Sequence, residues 1–254
     1  MYEGVCRGQK GGFSVVKYAI CDLHGHFLPG MDDGCQTVEE AVAVLKSSYA
    51  QGVRQMCATP HYYPVEPVSA FLARRKVAAE ILLSRMEQEE KPLPQICLGA
   101  EVAYRPGLAY EEALGQLCLG GSRYLLLEMP FAPWDENVVD TVRILCSIKG
   151  ITPIIAHIER YMGMQSRDTL MRVLEQDVLV QMNAEHLLQF RSRRHGRKLL
   201  ESGMAQLLGS DCHNMTTRQP NIGHAVAYLE KKGMGGVLRR ISADSQMVFQ
   251  AATE

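Results

Sequence analysis

The chain has 254 residues, of which 46% are hydrophobic and 22% charged, with a formal net charge of -1. These values suit one large soluble globular domain with an ordinary core. Nothing in them suggests a general nucleic-acid or membrane binder, and no apolar run approaches the roughly 20 residues of a membrane span.

The first 19 residues contain Gly4, Gly8, Gly11 and Gly12 and no long apolar stretch, so they do not read as a secretory leader. Residues 1–17 read as a loose extension before a single domain spanning 18–254. "YAICDLH" (18–24) is strand-like. Residues 37–52 read as a helix, with a Thr37/Glu40 capping box, an apolar stripe through Val38, Ala41, Val42, Leu45 and Tyr49, and Gly52 as the stop. A strand is expected at 53–61, a long helix at 68–90, a strand at 95–102 and a short helix at 108–118. Further strands are expected at 123–131, 151–157, 178–184 and 205–211. Helices follow them at 135–149 (capped by Asp135), 166–176, 195–202 and 219–232. About seven βα units without a linker imply an α/β fold with a parallel sheet, closed as a barrel or open and doubly wound. The eight cysteines form no CxxC pair, and several lie in apolar runs, as suits free thiols in a reducing cytoplasm.

The informative residues interrupt the apolar runs near the strand ends. The first strand ends in His24 and His26 and the second in His61, while the third carries Glu101 and the fourth Glu128. His157 ends the fifth, and Asp211 with His213 ends the seventh. Barrel folds carry their chemistry at this end, where the βα loops open. Residues i and i+2 on a strand share a face, so His24/His26 and Asp211/His213 each converge. Asp33, in "PGMDDG", folds back over the mouth. A lone strand-end His or Glu is commonly a hydrogen-bonded surface residue, but here six of seven strand ends supply candidates. Buried carboxylates need compensation, and nine N/O donors are too many for one cation. Two or three divalent ions are implied, with Mn, Fe and Zn all compatible with the donors. His186, His195 and His224 lie outside the pattern and read as structural or solvated.

"GSDCHNMTTR" (209–218) also has the Cys-x5-Arg spacing of a cysteine phosphatase, through Cys212 and Arg218. The segment lacks the glycines such a loop needs to wrap phosphate. Strand alternation turns Cys212 away from the face of Asp211 and His213. The metal reading is therefore preferred.

The segments "DLHGHFLPGMDDG" (22–34), "ATPHY" (58–62), "GAEV" (99–102), "LLLEMPF" (125–131), "PIIAHIERY" (153–161), "QMNAEHL" (181–187) and "GSDCHNMTTRQP" (209–220) carry a family resemblance. The chain resembles the PHP (polymerase and histidinol phosphatase) superfamily, and within it the CpsB/YwqE-type metal-dependent protein-tyrosine phosphatases. The likeness spans about Ile20 to Ile222. It implies a distorted β7α7, TIM-like barrel holding three divalent ions, Mn first among them. His24, His26, Glu101 and Asp211 would hold one ion. Glu101 (bridging), Glu128 and His157 would hold the second, and Asp33, His61 and His213 the third. Arg160 and Arg218 match the phosphate-binding arginines. Gly25 stands where Ser is usual, Ile158 where Pro is usual, and the tail after about 233 matches poorly.

The implied activity is hydrolysis of protein phosphotyrosine by a metal-bound hydroxide. The implied partner is a bacterial tyrosine kinase tail in capsular or exopolysaccharide synthesis. The cysteines and the lack of a long apolar run imply a cytoplasmic enzyme not inserted in a membrane, and the resemblance adds homo-oligomer formation as an expectation. The basic run "RSRRHGRK" (191–198) is a candidate contact for an acidic tail. A histidinol-phosphate or other small-molecule phosphatase is the nearest alternative. A DNA phosphoesterase and a non-catalytic scaffold fit less well.

Overall fold

The computed structural model describes residues 17–254. The extension expected over 1–17 lies, apart from Lys17, outside the described residues. In chain order the elements are β1 (Asp22–Gly25), α1 (Val38–Ala50), β2 (Gln55–Ala58), β3 (His61–Tyr62), α2 (Val68–Met86), β4 (Gln95–Leu98) and β5 (Glu101–Ala103). They continue with β6 (Tyr124–Glu128), α3 (Glu136–Ser147), β7 (Thr152–Ile155), α4 (Arg167–Leu174), β8 (Leu179–Asn183), α5 (Glu185–Leu188), α6 (Arg193–Glu201), β9 (Leu207–Gly209), α7 (Ile222–Lys231) and α8 (Gly235–Ala251).

Every expected strand region contains strand, but two of them are split. Pro60 separates β2 from β3, because it has no N–H for the ladder; its carbonyl accepts from Glu101 N at 3.1 Å. Gly99 separates β4 from β5 at a close approach, where a Cβ would stand 2.4 Å from the Leu119 side chain. The strands pair in the orders β1-β2-β4 and β3-β5-β6-β7-β8-β9, and every pair is parallel. A seam joins the two ends of the order. Asp211 N donates to His24 O at 2.9 Å, and His26 N donates to Cys212 O at 2.8 Å.

Two clusters fill the interior. In β6, Leu125 and Leu127 join the larger one, between strands and helices, while Tyr124 and Leu126 join the smaller. This is the period-two alternation of a sheet buried on both faces. The smaller cluster gathers Leu23, Cys57, Cys97, Leu126, Ile154 and Leu207 from six strands, which a flat sheet could not do. The parallel sheet is therefore curled. Val248 and Phe249 of α8 complete that cluster. The polar candidates lie in the strands and just beyond them: His24, His61, Glu101 and Glu128 belong to β1, β3, β5 and β6, and the other five follow strands.

Local signals behave as their chemistry dictates. The Thr37/Glu40 capping box is present, Asp135 accepts from Val138 N, and Gly52 adopts φ 95° after α1. The helix expected over 108–118 is instead a pair of 3-10 turns, Leu108–Tyr110 and Leu114–Leu117. Gly115 lies inside that segment, where a glycine costs about 1 kcal/mol relative to alanine in a helix. The basic run folds into the start of α6, with Arg193 stacked over exposed Phe190. The described cysteines are all free, and all but Cys146 are buried.

Candidate metal centre

All nine candidate ligands meet in one continuous cluster. Glu101, only 1% exposed, is its hub. Its Oε2 lies 3.3 Å from both His24 Nε2 and His26 Nε2 and 3.0 Å from His61 Nδ1. Its Oε1 lies 2.9 Å from His157 Nε2. Glu128 Oε1 stands 3.7 Å from His157 Nε2. Asp33 Oδ1 is 3.4 Å from His213 Nε2 and 3.6 Å from His61 Nε2. Asp211 Oδ1 is 3.4 Å from His24 Nε2 and 3.5 Å from His26 Nε2.

Hydrogen bonds away from the centre aim three of the imidazoles. Gln181 Oε1 accepts from the backbone N of His157 at 2.8 Å, so it is an acceptor, and His24 Nδ1, 3.2 Å away, must be the donor. His26 Nδ1 donates to Asp32 at 2.8 Å, and His213 Nδ1 donates to the carbonyl of Asp211 at 3.0 Å. In each ring the Nε2 lone pair is left facing inward, the arrangement that metal-binding histidines use. The inward nitrogens of His24 and His26 are only 3.1 Å apart.

This donor set fits divalent cations. Four carboxylates share one cleft, and Glu101 Oε2, His61 Nδ1 and His157 Nδ1 are buried without hydrogen-bond partners. His61 Nδ1 and Glu101 Oε2 face each other at 3.0 Å without bonding geometry. The electrostatics point the same way. Against the cost of burial, the Asp32 hydrogen bond and Glu101 raise the pKa of His26 to about 10. Burial, then the charge of Glu101, raises Glu128 above the usual carboxylate range. Burial, then His26 and Arg218, pushes His213 down to about 4. The site is rich in negative charge and draws positive charge inward.

The compact donor groups cross the expected partition. His26 joins Asp33, His61 and His213; His24, His26 and Asp211 form a second group; His61 joins Glu101 and Glu128. His157 reaches Glu101 and Glu128 from the side. Two ligands sit on left-handed backbone past their strands, His157 at φ 33° and Asp211 at φ 52°, a costly conformation for residues other than glycine and frequent at functional sites.

Arg160 and Arg218 close over the mouth, with side chains 37% and 36% exposed. Arg160 binds Asp211 Oδ2 at 2.6 Å and Arg218 binds Asp211 Oδ1 at 2.7 Å. Arg218 also donates to His213 Nε2 at 2.7 Å. Each guanidinium keeps further N–H donors, the resource that suits arginine to phosphate.

The capsular polysaccharide synthesis family CpsB/CapC matches residues 20–249. The chain belongs to the CpsB/CapC family. The tyrosine-protein phosphatase YwqE of Bacillus subtilis is 28% identical over 84% of this chain and 85% of its own length. The tyrosine-protein phosphatase CpsB of Streptococcus pneumoniae is 28% identical over 84% of this chain and 90% of its own. A solved structure from work on YwqE and CpsB, described as metal-dependent tyrosine phosphatases, superposes with a TM-score of 0.80. It has 26% identity and covers 91% of this chain and 95% of that one. The CpsB/CapC match extends through 249, so it includes most of the tail after about 233.

Sequence reasoning missed several supporting residues of this CpsB/CapC site. Asp32 receives His26 Nδ1, Gly34 N at 2.9 Å and His61 N at 2.8 Å. Against burial, the His26 contact lowers its pKa to about 2. Gln181 and Asn183, buried in the middle and at the end of β8, bind His24 and Asp211, and Asn183 Nδ2 lies 2.8 Å from Asp211 Oδ2. Burial raises the carboxyl of Glu159, beside Asn183 N, to about 7. Replacing Asp32 with Ala is expected to weaken metal affinity about 10- to 100-fold, measured by metal titration, because His26 loses its orienting partner.

Cys212 belongs to the packing. It is 0% exposed, and burial, followed by Asp22, pushes its thiol well above the ordinary range. Its Sγ would lie 3.2 Å from a Cβ at Gly25, so the cysteine occupies space that a serine there would crowd. Cys212→Ser is expected to keep turnover within about threefold, since no reacting atom is lost. A loss comparable to that of a ligand variant would reinstate the thiol as nucleophile. His186 and His195 pair with each other at 3.2 Å, and His224 is exposed, so these three stay outside the centre.

Proposed function

We propose that this chain is a metal-dependent phosphatase acting on phosphotyrosine in proteins. The observation that carries this reading is the convergence of His24, His26, Asp33, His61, Glu101, Glu128, His157, Asp211 and His213 beneath two arginines. These nine are the proposed metal ligands, for three ions, with Mn preferred over Fe or Zn. Bound ions would supply Lewis acidity toward phosphoryl oxygens and lower the pKa of a water toward neutrality. Arg160 and Arg218 bind the phosphate with paired N–H donors. The outward Nδ1 bonds of His24, His26 and His213 hold those rings in register. A tyrosine leaving group, with a pKa near 10, departs more readily than an aliphatic alkoxide.

The same reading takes the nine strand segments as seven barrel positions of a distorted β7α7 fold, with β2–β3 and β4–β5 as interrupted single strands. A bacterial tyrosine kinase in capsular or exopolysaccharide synthesis is the proposed substrate protein, in keeping with the family's description. A cytoplasmic location is supported by the free, buried cysteines. No helix among the described residues is long and apolar enough to cross a membrane. Homo-oligomer formation is proposed on the resemblance alone.

The test is elemental analysis of the purified protein with turnover of a phosphotyrosyl peptide, with and without chelator. Bound divalent metal and chelator-sensitive turnover are expected. Arg218→Ala should lower kcat/KM about 10²-fold with thermal stability little changed. Absence of both metal and activity would sink the proposal.

A further inference from the structure

Two exposed aromatic rings lie against the candidate ligands, and the chemistry proposed above does not use them. Phe131 is 55% exposed, and its ring stacks on His157 with centroids 6.0 Å apart and planes 24° apart. Tyr63 is 49% exposed and stacks on His61 at 5.1 Å and 22°. His61 and His157 reach different oxygens of Glu101, so the two aromatics border the centre from two sides.

Phe131 is held firmly although it faces solvent. Its other neighbour is buried Tyr161, with centroids 5.2 Å apart. Tyr161 Oη accepts from Met129 N at 3.1 Å, and Trp134 packs on Tyr161 at 5.6 Å. Trp134 Nε1 donates to Pro130 O at 3.1 Å. Gln165 accepts from Trp134 N at 2.7 Å and donates to Ala132 O at 3.0 Å. The segment Met129–Trp134 is thus tied at four backbone points around an exposed apolar ring. A large apolar side chain left in water gains by being covered, and a fixed ring loses little conformational entropy when it is. Aromatic pairs add geometric preference to that gain.

We propose that Phe131, with Tyr63 as the second wall, forms a subsite for the aromatic ring of an aryl phosphate, and so selects aryl over alkyl phosphoesters. This rests on the phosphatase reading above. Phe131 holds no metal and contacts no phosphate; it reads only the leaving group.

The test uses the metal-loaded protein and two non-hydrolysable ligands, phenylphosphonate and methylphosphonate, with affinities measured by calorimetry. The wild type should prefer the phenyl ligand about tenfold or more, the scale of one aromatic contact with its buried area. Phe131→Ala should remove most of that preference while methylphosphonate affinity moves less than about threefold. Phe131→Trp should restore it and Phe131→Leu should not, because a merely apolar plug would be served by Leu. An unchanged preference in Phe131→Ala, or equal loss for both ligands, overturns the subsite. If neither ligand binds the wild type, the phosphatase reading falls and takes the subsite with it. A wild type that binds both ligands with no change in the variant rejects the subsite alone.

Discussion

Asp211→Ala is expected to reduce turnover of a phosphotyrosyl peptide by about 10³-fold or more, together with the amount of bound metal. Asp211 is where three functions meet. One oxygen faces His24 and His26, while both oxygens anchor the arginines. Removing it takes a donor from the centre and frees Arg160 and Arg218 from their shared partner. Asn183 also loses its acceptor, so some stability goes with the activity. The decisive comparison is kinetic and elemental together. A variant that keeps its metal and turns over within tenfold of wild type would show that Asp211 only positions the arginines.

Ending the chain after Gly233 is expected to abolish cooperative thermal unfolding, or to leave the protein insoluble. α8 buries Val237, Leu238, Ile241, Val248 and Phe249, and its Ser245 Oγ accepts from Cys21 N at 3.1 Å. Full burial of one such apolar side chain contributes about 1.5–3 kcal/mol. Five of them approach the whole stability of an ordinary domain, about 5–15 kcal/mol. Gly120, at φ 56°, packs so closely on Ala252 that a Cβ there would collide with its backbone. Circular-dichroism melting decides the matter: a shortened chain that melts like the full one would make α8 an ornament.

Much of the fold and the site was legible because the physics is local. Alternating apolar segments exposed the strands, and capping residues marked α1 and α3. The His24/His26 and Asp211/His213 spacings pointed to convergence. Yet Asp211 arrives there by a left-handed turn beyond β9, so strand alternation gave the right neighbours through a different backbone. "DD" at 32–33 could not say which carboxylate faces inward; both serve the site, one behind His26 and one before His61 and His213. Gln181 and Asn183 were passed over because uncharged amides give no signal in a search built on charge. The stripe Val237, Leu238, Ile241, Val248, Phe249 has helical spacing, but the glycines at 233, 235 and 236 and the lack of a following strand hid it.

The seam between β1 and the segment after β9 bears on how the centre comes into being. Its two hydrogen bonds, from Asp211 N and His26 N, involve residues separated by nearly the whole chain. Contacts so distant in sequence carry a high closure cost, which slows their formation. Closure of the seam is therefore expected to be among the slower steps of folding, although the His61, Glu101 and Glu128 donors lie within one half of the chain. What a cation can do is latch the closed ring. A ligand bound only by the folded form, present at a hundredfold excess over its Kd, adds about 2.7 kcal/mol. Loading would then make reopening of the ring the rarer event, whatever the order in which metal and seam come together.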